Sequence, residues 1–119
     1  MATKVIAIAI LVFTALTQEA LAEAARGKLL YESRCVGCHS VDQNRIGPMH
    51  RGVVGRKAGS VKGYDYSPAL KASKIVWNVT LLQKWLANPE ALIPGQDMGY
   101  AVDEPRDRLD LAEYLATLK

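Results

Sequence analysis

Cysteine is scarce in this chain. There are two, Cys35 and Cys38, three positions apart. A disulfide across so small a loop would remove little chain entropy. That excludes the disulfide framework on which many small exported domains rely. Histidine is equally rare, with only His39 and His50, so the cysteines lack the second ligand pair that a zinc knuckle needs. Nor is there a long hydrophobic run. The uncharged stretch from Val5 to Leu16 covers twelve positions, against roughly 20 for a membrane-spanning helix. No internal repeat, low-complexity tract or linker divides the sequence, and no regular strand pattern stands out.

What is present begins with that short apolar run. Lys4 precedes it, and Ala20-Leu21-Ala22 follows it with small residues at the first and third places. A lysine, a short apolar core and an A-x-A site are the marks of a secretory signal peptide. Residues 1–22 are therefore expected to be a signal peptide cleaved after Ala22, leaving one domain, residues 23–119, in the periplasm. With half of all residues apolar and 23% charged, the chain reads as globular. Cleavage removes Lys4 and Glu19 together, so the net charge of +3 is unaffected. A domain of this size gains only marginal stability from burying its own apolar surface. Without disulfides, some other component has to complete the core.

Helical periodicity runs from Glu23 to about Cys38, with Ala24, Ala25, Leu29, Leu30 and Tyr31 as its small and apolar members. Five of the nine glycines, Gly47, Gly52, Gly55, Gly59 and Gly63, then fall in one stretch that reads as loops and turns. A short helix is expected from Ser67 to Ser73. Another is expected behind Thr80 as N-cap, running through Leu81, Leu82, Trp85 and Leu86 until Pro89 stops it. Pro94-Gly95 opens a further loop. The last helix should run from about Pro105 to Leu118, with Leu111, Leu115 and Leu118 on one face. The expected fold is all-α, a small single domain of about four to five helices with long loops. Loops of that length are unusual in a small domain, and make sense if they wrap a large ligand.

Cys35-Val36-Gly37-Cys38-His39 carries the chemistry. On a helix, positions i, i+3 and i+4 share a face, so both thiols and the imidazole point the same way. Two thiols so placed can add to the two vinyl groups of a haem while the histidine ligates its iron. C-x-x-C-H is the attachment motif for c-type haem. A thioredoxin-like dithiol would want a βαβ setting, and none is found here. Attachment of this kind takes place outside the cytoplasm, in agreement with the export signal.

Taken together, the motifs resemble the class I c-type cytochromes, the branch that holds mitochondrial cytochrome c and its bacterial periplasmic relatives. The resemblance covers nearly all of residues 23–119. It rests on Gly27 with Tyr31, Cys35 to His39, Gly47-Pro48, Gly55-Arg56-Lys57-Ala58-Gly59 and Gly63-Tyr64-Asp65-Tyr66. It continues through Trp77, Asn88-Pro89, Ile93-Pro94-Gly95 with Met98, and Arg108 to Leu115. It implies one haem c attached through Cys35 and Cys38, with His39 as proximal iron ligand and the Pro48 carbonyl fixing that histidine's tautomer. Met98 is implied as the sixth ligand; Met49 is the rival, although it follows Pro48 on the histidine side. Arg56, Tyr66 and Trp77 are implied as a propionate pocket, since buried carboxylates need donors or charge partners. Gly27 and Tyr31 are implied to let the first helix cross the last one closely, with Tyr31 near Leu111.

Several residues depart from the family pattern. Trp85 stands in place of a tyrosine, Leu70 of an asparagine, Gln96 of a threonine and His50 of a leucine, and a few residues are missing between His39 and Gly47. These departures bear on the internal hydrogen bonds and hence the reduction potential, not on the ligands. The function implied is that of a single-haem electron carrier, not an enzyme. Histidine and methionine ligation leaves no open site, and methionine raises the potential. The alternatives are a haem enzyme with a displaceable sixth ligand, of peroxidase or gas-binding type, and a haem subunit of a larger oxidoreductase. Expected partners are redox proteins docking transiently at the haem edge, with the carrier a monomer, no stable membrane insertion and no nucleic acid. Charges at that edge divide by sign: Lys28, Arg34 and Arg45 on the thioether side, Glu90, Asp97, Asp103 and Glu104 around the methionine loop. That division implies a mostly apolar docking rim around Tyr100.

Overall fold

The computed structural model describes residues 2–119, with the side chains of residues 2–7 and 9 left undescribed; Met1, where the expected signal peptide begins, lies outside the described residues. Five helices follow in order: α1 (Ala2–Arg34), α2 (Pro68–Ala72), α3 (Val79–Ala87), α4 (Pro89–Leu92) and α5 (Pro105–Thr117). Among the described residues there is no strand, only an isolated antiparallel bridge between Lys57 and Val76.

The first helix has two unlike halves. Ile8, Ile10, Leu11, Val12, Phe13, Leu16 and Leu21 are all more than half exposed, and among the described side chains of α1 the first that is not exposed is Glu23. From there the helix joins the domain. Gly27 is buried, and a Cβ placed on it would lie 1.8 Å from the backbone oxygen of Asp110 in α5. Only glycine lets the two helices meet this closely. Four residues on, Tyr31 is buried beside Leu111 in the core and packs its ring on Tyr114 at a centroid distance of 5.3 Å. Leu29, an apolar member of the expected stripe, faces away and is 67% exposed.

Charge closes the same crossing. Asp110 is fully buried and is held by Arg26. Asp107 is bonded by Arg26 at 2.6 Å and by Arg34 at 3.2 Å. Burying either carboxylate without these guanidinium groups would be costly.

Helix boundaries differ from the sequence expectation at four points: first, α1 begins at Ala2 and not at Glu23, because the apolar run of the expected signal peptide is itself helical and continues into the domain without a break. The first helix ends at Arg34 rather than near Cys38, although its hydrogen-bonding rhythm persists: Cys35 donates to the Tyr31 carbonyl and His39 to that of Cys35, both at 2.9 Å. The N-cap of α3 is Asn78, not Thr80, because the Asn78 side chain accepts from the Leu81 N–H at 2.8 Å. Pro89 does not merely stop α3. It occupies the first turn of α4, where its missing N–H costs nothing, with Asn88 capping that helix through the Ala91 N–H at 3.1 Å. The remaining expectations hold: Ser67 caps α2 and α5 opens on Pro105.

The connections are ordered through backbone bonds. Gly55 donates to the Trp77 carbonyl at 2.8 Å, Trp77 to that of Arg56 at 2.9 Å and Ala58 to that of Ile75 at 2.8 Å. Gly52 ties the same region to Leu118 at 2.6 Å. Val53, Trp77, Leu82, Trp85, Leu86, Leu111 and Leu115 form a core with a cavity of about 590 Å³ at its centre.

Candidate cofactor site

That cavity gathers the residues singled out in the sequence. Cys35, Cys38, His39, Pro48, Arg56, Tyr66, Trp77 and Met98 all line it, although they span more than half the chain. Met49, the rival to Met98, does not.

On the histidine side, the turn after α1 sets the motif in place. Burial pushes the Cys35 thiol up to about 11, so it is protonated at neutral pH. His39 donates from Nδ1 to the Pro48 carbonyl at 2.8 Å, since a carbonyl can only accept. Burial lowers the pKa of this imidazole more than the Pro48 bond raises it. The ring is therefore neutral, with its one lone pair on Nε2, the form a metal requires. Gly47 makes the arrangement sterically feasible: a Cβ there would sit 2.1 Å from Cε1 of His39.

His50 is the residue whose role the sequence did not disclose. Its ring stacks on that of His39, with centroids 4.1 Å apart and planes 22° from parallel. Tyr31 Oη and His50 Nδ1 share a hydrogen bond of 3.0 Å. Burial, helped by the neighbouring His39 and Arg56, holds His50 down at about 3, so it is neutral. The only sequence signal was an unusual residue in a place that resembles a leucine position.

Arg56 shows what the cavity lacks. Its guanidinium donates to the carbonyls of Arg51 at 3.1 Å and Met49 at 2.9 Å, and burial lowers its pKa. Among the described residues it has no acidic partner. Tyr66 accepts from the Val61 N–H at 3.2 Å, which leaves its own hydroxyl hydrogen available. Trp77 stacks edge-on with Trp85 at 5.4 Å, and no acceptor for its indole N–H is found among the described residues. A half-buried cation and two donors without acceptors, at the wall of an apolar cavity, suit a ligand that is mostly apolar but carries carboxylates. Haem is such a ligand, and the donor set fits it.

Comparison with known proteins agrees. Residues 24–119 match the family described as Cytochrome c. The chain belongs to the cytochrome c family. It is 46% identical to cytochrome c of Euglena viridis over 100 residues, covering 82% of this chain and 98% of that protein. It is 40% identical to cytochrome c2 of Rhodopila globiformis over 100 residues, covering 82% and 94%. Among solved structures, cytochrome cH from Methylobacterium extorquens superposes with a TM-score of 0.75 at 38% identity, covering 79% of this chain and 97% of that one. As a cytochrome c, the protein binds haem c covalently and carries one electron at a time between redox proteins; it is not an enzyme. No helix among the described residues is long and apolar enough to cross a membrane.

Proposed function

We propose that the cavity would hold the haem through thioether bonds at Cys35 and Cys38, with His39 and Met98 as the protein ligands of its iron and Arg56, Tyr66 and Trp77 as partners for the propionates. When bound, the haem supplies the one-electron couple. The chain's own residues do the rest: Pro48 fixes the His39 tautomer, the apolar wall lowers the local dielectric, and Arg56 offsets propionate charge. With both residues bound to the iron, no coordination position would remain for substrate, which suits a carrier.

One observation carries this reading. Met98 and the Nε2-ready His39 face one cavity, while Met49 stays outside it. The far-red absorption of the oxidised protein tests it. The methionine–iron charge-transfer band should vanish in Met98→Ala and survive in Met49→Ala. The reverse outcome rejects the assignment.

The same reading extends to processing and partners. Residues 1–22 act as the export signal and residues 23–119 work in the periplasm as a monomer. In support, no described side chain before Glu23 is buried against the domain, and the family match starts at residue 24. Sizing the N-terminus of the exported protein by mass spectrometry decides this; a mature chain that retains Val5 to Leu16 rejects it. Redox partners dock where the cavity opens, beside Ile46 and Tyr100, which are 75% and 45% exposed.

A further inference from the structure

Met98 sits in a loop with little backbone support. After α4, the Ile93 N–H returns to the Pro89 carbonyl at 3.0 Å and the Gln96 N–H to that of Ile93 at 3.3 Å. Pro94 and Gly95 occupy the centre of that turn, Gly95 with φ +88°, the arrangement of a type II turn. Beyond it, from Asp97 to Ala101, Met98 has the one backbone N–H with an acceptor among the described residues. The acceptor is a side chain, not backbone.

Glu90, in the first turn of α4, supplies what the backbone does not. One carboxylate oxygen accepts from the Gly95 N–H at 2.8 Å. The other accepts from the Gln96 side-chain amide at 3.3 Å. The oxygen of that amide in turn accepts the Met98 N–H at 2.6 Å. A carboxylate in the first turn of a helix is favoured there by the helix dipole alone. The dipole accounts for its charge but not for both of its oxygens being engaged five and six residues downstream.

We propose that Glu90 is a positioning residue for Met98: through Gln96 it clamps the loop and keeps the thioether presented to the cavity. The inference rests on the reading of Met98 as the sixth ligand. Glu90 is exposed, so each bond is partly screened by water and the effect should be modest. Loss of the clamp frees the loop without touching the thioether bonds or His39, so ligand exchange at the iron becomes easier while the fold persists.

Imidazole, added to the oxidised holoprotein, competes with Met98 and is followed by loss of the far-red band. Glu90→Ala should bind imidazole about three- to tenfold more tightly, the range expected for one net hydrogen bond. The Gly95 amide should also exchange faster with solvent, with covalent haem and the global unfolding midpoint unchanged. Gln96→Ala should shift affinity the same way. The double variant should add little to the larger single effect, because the two residues act in series. Glu90→Gln, which keeps an acceptor, should recover part of the wild-type value. Asp103→Asn removes the same charge without touching the loop and should change nothing. Wild-type imidazole affinity in Glu90→Ala, or an equal shift in Asp103→Asn, overturns the proposal. Met98→Ala belongs in the same series: if it keeps the band, the ligand reading itself fails, whatever Glu90 does.

Discussion

The two walls of the cavity are built by different physics. On the histidine side, position is set by contact: Gly47 lies where any Cβ would strike His39, His50 stacks on the ring, and the Pro48 carbonyl accepts the hydrogen bond from its Nδ1. On the methionine side, Ile93 anchors one end of the turn in the core, and beyond it position is set by a few polar bonds at the surface, from Glu90 and Gln96. Contacts in a close-packed interior admit one arrangement and fail abruptly. Exposed hydrogen bonds contribute less and fail by degrees. The two proposed iron ligands should therefore differ in how they are lost.

The largest test removes what the walls share. Both close on a cavity of about 590 Å³. Without the haem, the apolar wall of this space would face water, in a domain too small for its own core to give more than marginal stability. Cys35→Ala combined with Cys38→Ala should therefore abolish covalent haem and leave the chain largely unfolded by circular dichroism. A haem-free double variant with a native-like cooperative thermal transition would show that the histidine wall folds unaided.

A matched pair of substitutions sharpens the contrast. Gly47→Ala places a methyl 2.1 Å from His39, whereas Gly99→Ala, beside Met98, meets nothing within 4 Å. Overpacking of this kind costs about 1–3 kcal/mol, which in a domain of this size lowers Tm by roughly 4–8 °C for each kcal/mol. Gly99→Ala should stay within about 0.5 kcal/mol, as surface changes do. Thermal melts of the two holoproteins decide the matter, and equal Tm values would erase the distinction between the walls.

The same contrast separates what was legible in the sequence from what was not. Cys35, Cys38 and His39 are local in sequence, so their shared face follows from helical spacing. Most helices were legible through caps and periodicity, as with Ser67 and Pro105. The start of α3 is ambiguous in the sequence because Asn78 and Thr80 are both good caps, and only the bond to the Leu81 N–H distinguishes them. Pro89 read as a stop because the same residue that ends one helix can open the next. Glu90 read as a surface charge, since nothing in the spacing reveals a turn that returns Gly95 to it. His50 read as an oddity for a similar reason: its partner His39 is brought alongside only by the loop between them, which returns the His50 N–H to the Ser40 carbonyl at 3.1 Å.

The smallest expected effect concerns the proposed docking rim. The histidine side carries Lys28, Arg34 and Arg45, but two of these are already engaged within the protein. Lys28 pairs with Glu32, and Arg34 with Asp107 at 3.2 Å. Arg45 is left, donating to the Val36 and His39 carbonyls with no carboxylate beside it among the described residues. Opposite stand Glu90, Asp97, Asp103 and Glu104, all exposed. Charges of both signs thus stand around the rim, with exposed carboxylates outnumbering free cations, although the whole chain is basic at +3. Between the two groups of charges, Ile46 and Tyr100 expose apolar surface at the cavity mouth. Steered association needs one sign facing its opposite and weakens as salt screens it. Stopped-flow electron transfer to a strongly acidic redox partner should therefore change by less than about threefold between low and physiological salt, where steered pairs fall steeply. Replacing Ile46 with serine should slow the same reaction at every salt concentration, because it removes contact area and not charge. A steep fall with salt would mean that the net positive charge governs docking, and the rim would then be no different from any basic face.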